Sequence, residues 1–342
     1  MKAAILTEPK KIEIQDVKRP AIKSGEVLVK IKACGICTLE QRLYTGDIKL
    51  FYPLIPGHEA SGEIVEISEE GVLSDFKPGM RVALDLVNRC GECYYCRTGK
   101  SNQCINRFKK GQQVLGGFGE YIAVKSKQIF TIPDTLTYEE AAFSEPVACC
   151  VHSLKKIDLK LAEDLLIIGA GPMGQMHLQV ALAMGARVFV SDPDADRRKQ
   201  AVKSGAFMAL NPEKDNIKEI IEENTEGRGA DACVITSPSH KALQTGIDSV
   251  SKTGRINIYT SYLDAPVLPI DANTIHRSEK LITGSEGRTE YDFLTAVRLL
   301  SFGIINVKPL ISMKVPITDI DYGFEKAMSR DTYRVILINN GN

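Results

Sequence analysis

Residues 164–174 read Asp-Leu-Leu-Ile-Ile-Gly-Ala-Gly-Pro-Met-Gly, a short apolar run that leads directly into a glycine-rich turn. The continuous apolar run at 165–168 is typical of a strand buried on both faces of a parallel sheet. In the G-x-G-x-x-G pattern, Gly169 permits a tight turn, Gly171 lets the backbone approach a pyrophosphate, and Gly174 lets a helix pack against the strand. The stretch therefore predicts the start of a dinucleotide-binding unit.

The residues after the turn continue this unit. A helix is predicted from Pro172 through Met173 to Met184, and its N-terminus directs free N–H groups toward a phosphate. A second apolar strand at 186–191 then ends in Asp192, about where an acid meets the adenosine ribose hydroxyls in such units. Strand, turn, helix, strand and acid thus follow in the order that dinucleotide binding requires.

The choice between NAD and NADP depends on three side chains. Asp192 favours NAD, because a 2′-phosphate would face its carboxylate. Arg197 and Arg198 follow closely, and a nearby arginine is how such sites accept NADP. Because solvated positions on the next helix explain both arginines better, the prediction is NAD, with NADP as the alternative.

Length and charge exclude several classes of protein. The chain has 342 residues, enough for two domains, and its 43 basic and 43 acidic residues balance to a net charge of zero. Nothing therefore favours nucleic acid or a membrane surface as a partner. The N-terminal residues 1–6 are too short an apolar run for a signal peptide, so we expect a cytoplasmic protein. Nine cysteines in that compartment indicate metal binding more than disulfides.

The chain as a whole is predicted to be of the α/β class, and its pattern divides it into two domains. Residues 1–150 show short alternating or apolar runs between glycines and prolines, which predict a partly open β-barrel. Residues 151–289 alternate strands with helices, which predicts a doubly wound parallel sheet. Residues 290–342 contain a helix at 291–302 and a final strand at 334–339, and we expect this tail to return to the first domain. No internal repeat or low-complexity segment is evident.

A cysteine cluster lies in a lobe at about 88–105. Four thiolates around one loop can close a tetrahedral zinc site, and a site with no open position is structural. The alternatives are disulfides, unrelated surface thiols or an iron–sulfur cluster. The spacing C-x2-C-x2-C-x7-C favours zinc, and its members are Cys90, Cys93, Cys96 and Cys104.

The candidate catalytic residues are dispersed. Cys34 and Cys37 end a predicted strand, His58 and Glu59 follow a proline-rich turn, and Glu145 lies just before the cofactor domain. One thiolate, one imidazole and one carboxylate would leave the fourth position of a zinc ion open for water or a substrate oxygen. Taken singly, the histidine is better explained by a structural role, and the glutamate by a charge at a helix N-terminus, but the order and spacing of the set favour a metal site.

With these motifs in this order, the chain resembles the zinc-dependent medium-chain alcohol dehydrogenase family over essentially its whole length. It resembles in particular the branch of sorbitol, threonine and related polyol dehydrogenases. The resemblance implies a GroES-like catalytic domain beside a Rossmann NAD-binding domain, two zinc ions per chain, and a homodimer or homotetramer. Pairing at a sheet edge across a two-fold axis would use the strand at 255–261 and the segment at 267–270.

The resemblance also implies roles for individual residues. Cys37 begins the family's C-x-x-D segment and is the implied zinc ligand, with Glu40 in place of the aspartate, whereas Cys34 is a neighbour. His58 matches the zinc histidine, and Glu59 matches the carboxylate beside it, which acts in support or exchanges with other ligands. Glu145 falls where polyol dehydrogenases have an acidic ligand. The four lobe cysteines match the structural zinc site, and Arg334 matches an arginine that binds the cofactor pyrophosphate.

Two positions depart from the family pattern. A serine or threonine two positions after the ligand cysteine, and a histidine three positions further, usually pass the alcohol proton to solvent, but Leu39 and Arg42 stand here. Thr38, Glu40, Tyr44 or a zinc-bound water with Glu59 are the alternative routes. Arg42 itself is explained by a cofactor phosphate, by a charged substrate or by an exposed ion pair.

The predicted function is zinc-dependent transfer of a hydride between a secondary alcohol, on a polyol or similar polar metabolite, and NAD. A carbonyl reductase of the same family is one alternative. A zinc-stabilised NAD-binding protein with little catalysis is the other, because the usual proton relay is missing.

Overall fold

The computed structural model describes residues 1–48, 50–72, 75–107, 115–268 and 271–339. It divides into two compact units. Unit 1 comprises Met1–Ala148 and Arg288–Asn342, and unit 2 comprises Cys149–Gly287. The sequence pattern had placed the corresponding boundaries at 150 and 290. No helix in the described ranges is both long enough and apolar enough to cross a membrane.

The strands are numbered in chain order. They are β1 (Lys2–Glu8), β2 (Lys11–Asp16), β3 (Glu26–Gly35), β4 (Glu59–Ile67), β5 (Arg81–Asp85), β6 (Tyr121–Lys125), β7 (Ile129–Thr131), β8 (Asp164–Ile168), β9 (Arg187–Ser191), β10 (Met208–Leu210), β11 (Ala230–Ile235), β12 (Val250–Ile258), β13 (Leu281–Gly284), β14 (Ile311–Pro316) and β15 (Arg334–Ile338).

The helices are numbered in the same way. They are α1 (Thr38–Thr45), α2 (Tyr94–Arg97), α3 (Tyr138–Ala141), α4 (Ser144–Lys156), α5 (Pro172–Ala183), α6 (Ala195–Lys203), α7 (Ile217–Asn224), α8 (His240–Ser249), α9 (Ala272–Ser278), α10 (Glu290–Ser301) and α11 (Ile320–Ala327). Short 3-10 turns lie at Ser101–Gln103, Ser126–Gln128, Lys308–Leu310 and Ile317–Asp319.

Unit 2 contains a parallel sheet in the order β10-β9-β8-β11-β12-β13. The order reverses between β8 and β11, which is the topological switch point of a doubly wound fold. The central strand β8 is buried along its whole length, as its apolar sequence requires. The predicted doubly wound parallel sheet is therefore confirmed.

Unit 1 contains a mostly antiparallel sheet in the order β14-β15-β3-β4-β5-β7, with β6 also pairing with β3. β1 and β2 form a separate antiparallel pair. The ends of β15 and β3 pair antiparallel, so the C-terminal segment adds a strand to the sheet of unit 1. Apolar residues of both chain segments, among them Val29, Leu84, Phe324 and Val335, belong to one buried core cluster.

The structure corrects the predicted sheet edge. The run at 255–261 coincides with the end of β12, which pairs with β11 on one side and β13 on the other. β13 therefore occupies the edge, and the run offers no free backbone for pairing across a two-fold axis. β13 escaped prediction because it is short and only partly buried. Of the segment at 267–270, Pro269 and Ile270 lie outside the described residues.

Candidate active site

Cys37 and Glu40 are positioned by the turn from β3 into α1. Cys37 is the residue before the helix, and its backbone N–H donates to Glu40 Oε2 at 3.1 Å, as in a capping box. Thr38 is exposed, whereas Glu40 is fully buried. Leu39 packs against the apolar core. The helix therefore turns a thiol and one carboxylate inward.

His58 precedes β4 and is buried against Glu40. Its Nδ1 lies 2.6 Å from Glu40 Oε1, and because a carboxylate only accepts, Nδ1 is the donor. When the ring is neutral, its lone pair is therefore on Nε2, which lies 3.8 Å from Glu145 Oε1. A second carboxylate in this place cannot donate a hydrogen bond to the lone pair. The lone pair faces an anion, which is the arrangement that a cation would complete.

Glu59 is held by Arg334. Arg334 Nη2 lies 3.0 Å from Glu59 Oε1, and Arg334 Nη1 donates to the backbone oxygen of Ile36 at 3.1 Å. Both side chains are almost completely buried. The carboxylate fits because position 35 is a glycine, since a Cβ there would overlap Glu59 Oε2. The implied role of Arg334 at a cofactor pyrophosphate stays a prediction.

Glu145 lies in the first turn of α4, where a carboxylate is favoured by the helix dipole. Arg288 Nη1 contacts its Oε1, and Arg288 Nη2 lies 2.7 Å from Asp85 Oδ1. All three side chains are buried. No motif in the sequence indicates Arg288 or Asp85, and 143 positions separate Arg288 from Glu145.

Burial and charge act on the titrating groups in opposite directions. Burial lowers the pKa of His58, but the carboxylates of Glu40 and Glu145 outweigh it, so its pKa lies well above the usual value. Burial raises the pKa of the Cys37 thiol, against Arg334 and His58, and it also raises the pKa of Glu59, against Arg334. The cluster as a whole therefore favours added positive charge.

These side chains have the chemistry of a zinc site. The donor atoms of Cys37, Glu40 and His58 lie within 4.8 Å of one another, as do those of His58, Glu59 and Glu145. A thiolate, an imidazole nitrogen and a carboxylate oxygen are all zinc ligands, and His58 belongs to both sets. The residues therefore fit a zinc ion with an open position.

The lobe cysteines form a second group. Their sulfurs lie within 4.8 Å of one another, with 3.6 Å between those of Cys104 and Cys90. Backbone N–H groups of Glu92 and Cys93 lower the pKa of Cys90 to about 6, whereas burial raises the pKa of Cys96 to about 12. The sulfurs are too far apart for disulfides, and four converging thiols fit a closed zinc site.

The dinucleotide turn has the geometry that its glycines predict. Gly169 has φ +102°, and a Cβ at Gly174 would overlap the oxygen of Gly169. Gly171 precedes α5, with Pro172 as the first helical residue and Met173 as the second. The turn therefore brings helix and strand together closely enough for backbone N–H groups to face a phosphate.

Asp192 follows β9 and borders a pocket of about 260 Å³. Its Oδ2 accepts the N–H of Ala170 at 2.7 Å, which ties it to the glycine-rich turn. Arg198 donates from Nη1 to the backbone oxygen of Asp192 at 2.7 Å, and Arg197 Nη1 lies 3.6 Å from where a Cβ of Gly171 would be. The carboxylate and the two arginines are thus neighbours in space as well as in sequence.

Comparison with known proteins gives the family. Residues 23–134 match the family described as alcohol dehydrogenase GroES-like domain, and residues 172–301 match the zinc-binding dehydrogenase family. The chain is 32% identical over 330 residues to D-arabitol-phosphate dehydrogenase of Enterococcus avium, covering 95% of this chain and 93% of that protein. It is 31% identical over 334 residues to sorbitol dehydrogenase of Bacillus subtilis, covering 96% and 94%.

A solved structure agrees with these matches. A zinc-binding dehydrogenase of Sinorhizobium meliloti bound to NADP superposes with a TM-score of 0.92 at 28% identity, covering 98% of each chain. The fold and both metal-type clusters define an oxidoreductase. This chain belongs to the zinc-dependent alcohol and polyol dehydrogenase family, which confirms the resemblance predicted from its motifs.

Proposed function

We propose that this dehydrogenase interconverts a secondary alcohol and its carbonyl compound with NAD, acting on a polyol, a sugar alcohol or a similar polar metabolite. The observation that carries the proposal is the convergence of a thiol and several carboxylates around His58. We call this group the mixed donor cluster, and its members are Cys37, Glu40, His58, Glu59 and Glu145. A closed structural site has no need of such variety, whereas three protein ligands with an open position suit catalysis.

Cys37, His58 and Glu145 would hold the catalytic zinc, with Glu59 as a supporting or exchanging carboxylate. Zinc, when bound, supplies the Lewis acidity that lowers the pKa of an alcohol, and NAD supplies the hydride acceptor. Glu40 fixes the tautomer and ring orientation of His58 through its 2.6 Å contact. Arg334 offsets the charge of Glu59, so that the buried cluster carries less negative charge.

The cofactor proposal is NAD rather than NADP. Gly169, Gly171, Pro172, Met173 and Gly174 would bind the pyrophosphate. A carboxylate such as Asp192 suits ribose hydroxyls and opposes a 2′-phosphate. One solved structure of this fold is bound to NADP and another to NADH, so the comparison of the two cofactors must be made on this chain.

The proton route is proposed around α1. Glu40 is in contact with both His58 and the backbone of Cys37, and Thr38 lies at the exposed start of the same helix. An exposed hydroxyl two positions before the buried Glu40 carboxylate would carry the alcohol proton to solvent. Replacing Thr38 by valine tests this route and should lower kcat more than it changes KM.

The polyol proposal has two supports. Two relatives are named for polyol substrates, D-arabitol phosphate and sorbitol. The buried, highly charged surroundings of Glu145 also suit a substrate with several hydroxyl groups, because each would find a polar partner there. A cytoplasmic location and assembly as a homodimer or homotetramer are proposed alongside.

Elemental analysis of wild type and His58→Ala, combined with NAD- and NADP-linked turnover on a panel of polyols, amino alcohols and simple alcohols, tests the proposal. Wild type should contain two zinc ions per chain and His58→Ala about one, with turnover reduced on the order of 1000-fold. His276→Ala, which removes an exposed histidine, is the control and should keep both zincs and full turnover. One zinc in wild type and no turnover on any alcohol would favour a binding protein instead.

A further inference from the structure

Four buried side chains of alternating charge form what we call the charge row of unit 1. Its members are Arg89, Asp85, Arg288 and Glu145, and the side chains are between 1% and 7% exposed. Arg89 Nη1 lies 2.5 Å from Asp85 Oδ2, and Arg288 Nη2 lies 2.7 Å from Asp85 Oδ1. Arg288 Nη1 contacts Glu145 Oε1, which ends the row.

Backbone contacts hold the row in place at two points. Arg89 Nη2 donates to the backbone oxygen of Arg288 at 2.8 Å, so the two arginines are joined directly as well as through Asp85. Gln128 donates from Nε2 to the backbone oxygen of Asp85 at 3.1 Å. Each buried charge has an opposite charge beside it, and removal of Asp85 takes away a carboxylate that both arginines contact.

One end of the row is attached to the cysteine lobe. Arg89 directly precedes Cys90, and its Nε lies 3.7 Å from Glu290 Oε1. Glu290 Oε2 accepts the hydroxyl of Ser101 at 2.5 Å, three residues before Cys104. The segment of the first cysteine therefore continues directly from Arg89, and the segment of the last cysteine reaches Arg89 through Glu290.

The other end reaches the mixed donor cluster. Glu145 Oε1, the oxygen that Arg288 contacts, lies 3.8 Å from His58 Nε2. A carboxylate offers about four lone-pair positions on its two oxygens, so Arg288 can fix its orientation and leave positions for a metal. The alternating charges also bring the Glu145 carboxylate into the interior at a lower cost.

We propose that Asp85 and Arg89 are positioning residues that hold Glu145 as a metal ligand through Arg288. Because Arg89 is attached to the cysteine lobe, the lobe then determines how firmly the mixed donor cluster retains its zinc. This inference rests on the proposed function in one respect, namely that the cluster around His58 binds zinc. Asp85 and Arg89 touch none of the ligands proposed for the site around His58, and they act on it only by holding Arg288.

The test is the rate at which a chromogenic chelator removes zinc from the purified full-length protein. Asp85→Asn keeps the shape of the side chain and removes the charge between the two arginines. We expect the zinc of the His58 cluster to be released about 10- to 100-fold faster, with no change for the zinc of the lobe. Arg89→Lys, which keeps the charge and loses the planar fork, should give a smaller change in the same direction.

The matched control is Asp164→Asn in unit 2. Asp164 is a buried aspartate paired with Arg187 at 2.6 Å, and it belongs to the parallel sheet. Its loss should lower the melting temperature and leave zinc release as in wild type. Equal acceleration in Asp164→Asn and Asp85→Asn, or none in Asp85→Asn and Arg89→Lys, would overturn the proposal.

A second background tests whether the effect passes through Glu145. Glu145→Cys supplies a thiolate ligand that needs no arginine to orient it. Adding Asp85→Asn to this background should leave zinc release unchanged, and an undiminished acceleration would overturn the assigned route. A wild-type protein with a single zinc per chain would instead contradict the proposed function, and the inference with it.

Discussion

His58 in unit 1 and His177 in unit 2 are both buried and hold the same tautomer, but their surroundings differ in charge. His58 donates from Nδ1 to the Glu40 carboxylate, and its Nε2 faces the carboxylate of Glu145. His177 has its Nδ1 2.8 Å from the backbone oxygen of Met173, to which it donates. Its Nε2 accepts the hydroxyl of Ser153 at 2.8 Å.

The neighbours of His177 carry no charge, so burial sets the direction in which its pKa shifts. Burial lowers the pKa of His177 to about 4, against a weaker opposing effect of the Met173 carbonyl. Asn257 donates to Ser153 at 2.7 Å, so a chain of uncharged groups satisfies the ring. The pKa of His58 shifts the other way in spite of similar burial. Neighbouring charge, rather than burial, thus separates a histidine suited to a cation from one that serves the fold.

The largest expected effect on stability comes from removing the arginine side chain that pairs with Glu59 in the mixed donor cluster. Arg334→Met leaves Glu59 buried without its partner, and we expect the free energy of unfolding to fall by about 3–5 kcal/mol. Urea denaturation measures the change. The double variant Arg334→Met with Glu59→Met should recover much of the loss, because no buried charge then remains unpaired.

Lys199→Met is the control for this measurement. Lys199 pairs with Asp196 at 2.9 Å on the exposed face of α6, where water screens both charges. Its removal should change the free energy of unfolding by less than about 1 kcal/mol. Similar losses in Arg334→Met and Lys199→Met would show that the buried cluster is not special.

A smaller effect is expected from the pH dependence of His177. Because its pKa is about 4 when folded and ordinarily 6.5, the unfolded chain binds a proton first as the pH falls. The contribution of His177 to stability is therefore complete above pH 6.5 and is lost between about pH 6.5 and 4, by at most about 3 kcal/mol.

The measurement compares wild type with His177→Gln across that pH range. The difference in unfolding midpoint between the two proteins should shrink as the pH falls, since only wild type pays for keeping the ring neutral. His276→Gln, at an exposed position, is the control for removing a histidine as such. A difference that stays constant from pH 7 to pH 4 would argue against a neutral His177.

The smallest expected effect is on zinc retention, and it tests the role of Glu40. Glu40→Asp restores the residue type that the family pattern has, but it shortens the side chain that contacts both His58 and the Cys37 N–H. We expect a chelator to remove the zinc of the mixed donor cluster about tenfold faster. Glu139→Asp, which shortens an acid that is partly exposed and pairs with Lys314, should have no such effect. Zinc retention as in wild type would mean that the backbone adjusts to the shorter acid.

The parts of the fold that follow local patterns could be predicted from the sequence. The strand, turn and helix around Gly169 came within about a residue or two of their observed ends, because burial on both faces and helix packing leave a signature within one short stretch. The cysteine lobe is similarly local. β13 could not be found, since its half-exposed run of four residues carries no clear period.

The mixed donor cluster could not be predicted from local sequence patterns. Its residues are separated by up to 108 positions between Cys37 and Glu145, and only their order, matched to a family, suggested that they meet. Arg288 and Asp85 had no pattern at all, because an isolated charge looks the same in sequence whether it is solvated or buried. Pairing between distant segments is set by the tertiary fold.

Gly35 leaves space for the Glu59 carboxylate, and this affects how saturation mutagenesis of position 35 should be interpreted. Any side chain at position 35 would overlap the Glu59 carboxylate, although Gly35 itself supplies no ligand atom. A screen that scores growth would therefore rank this glycine with the proposed zinc ligands. A scan read for metal content and for folded yield would separate the two, because a position that only makes room fails in both assays.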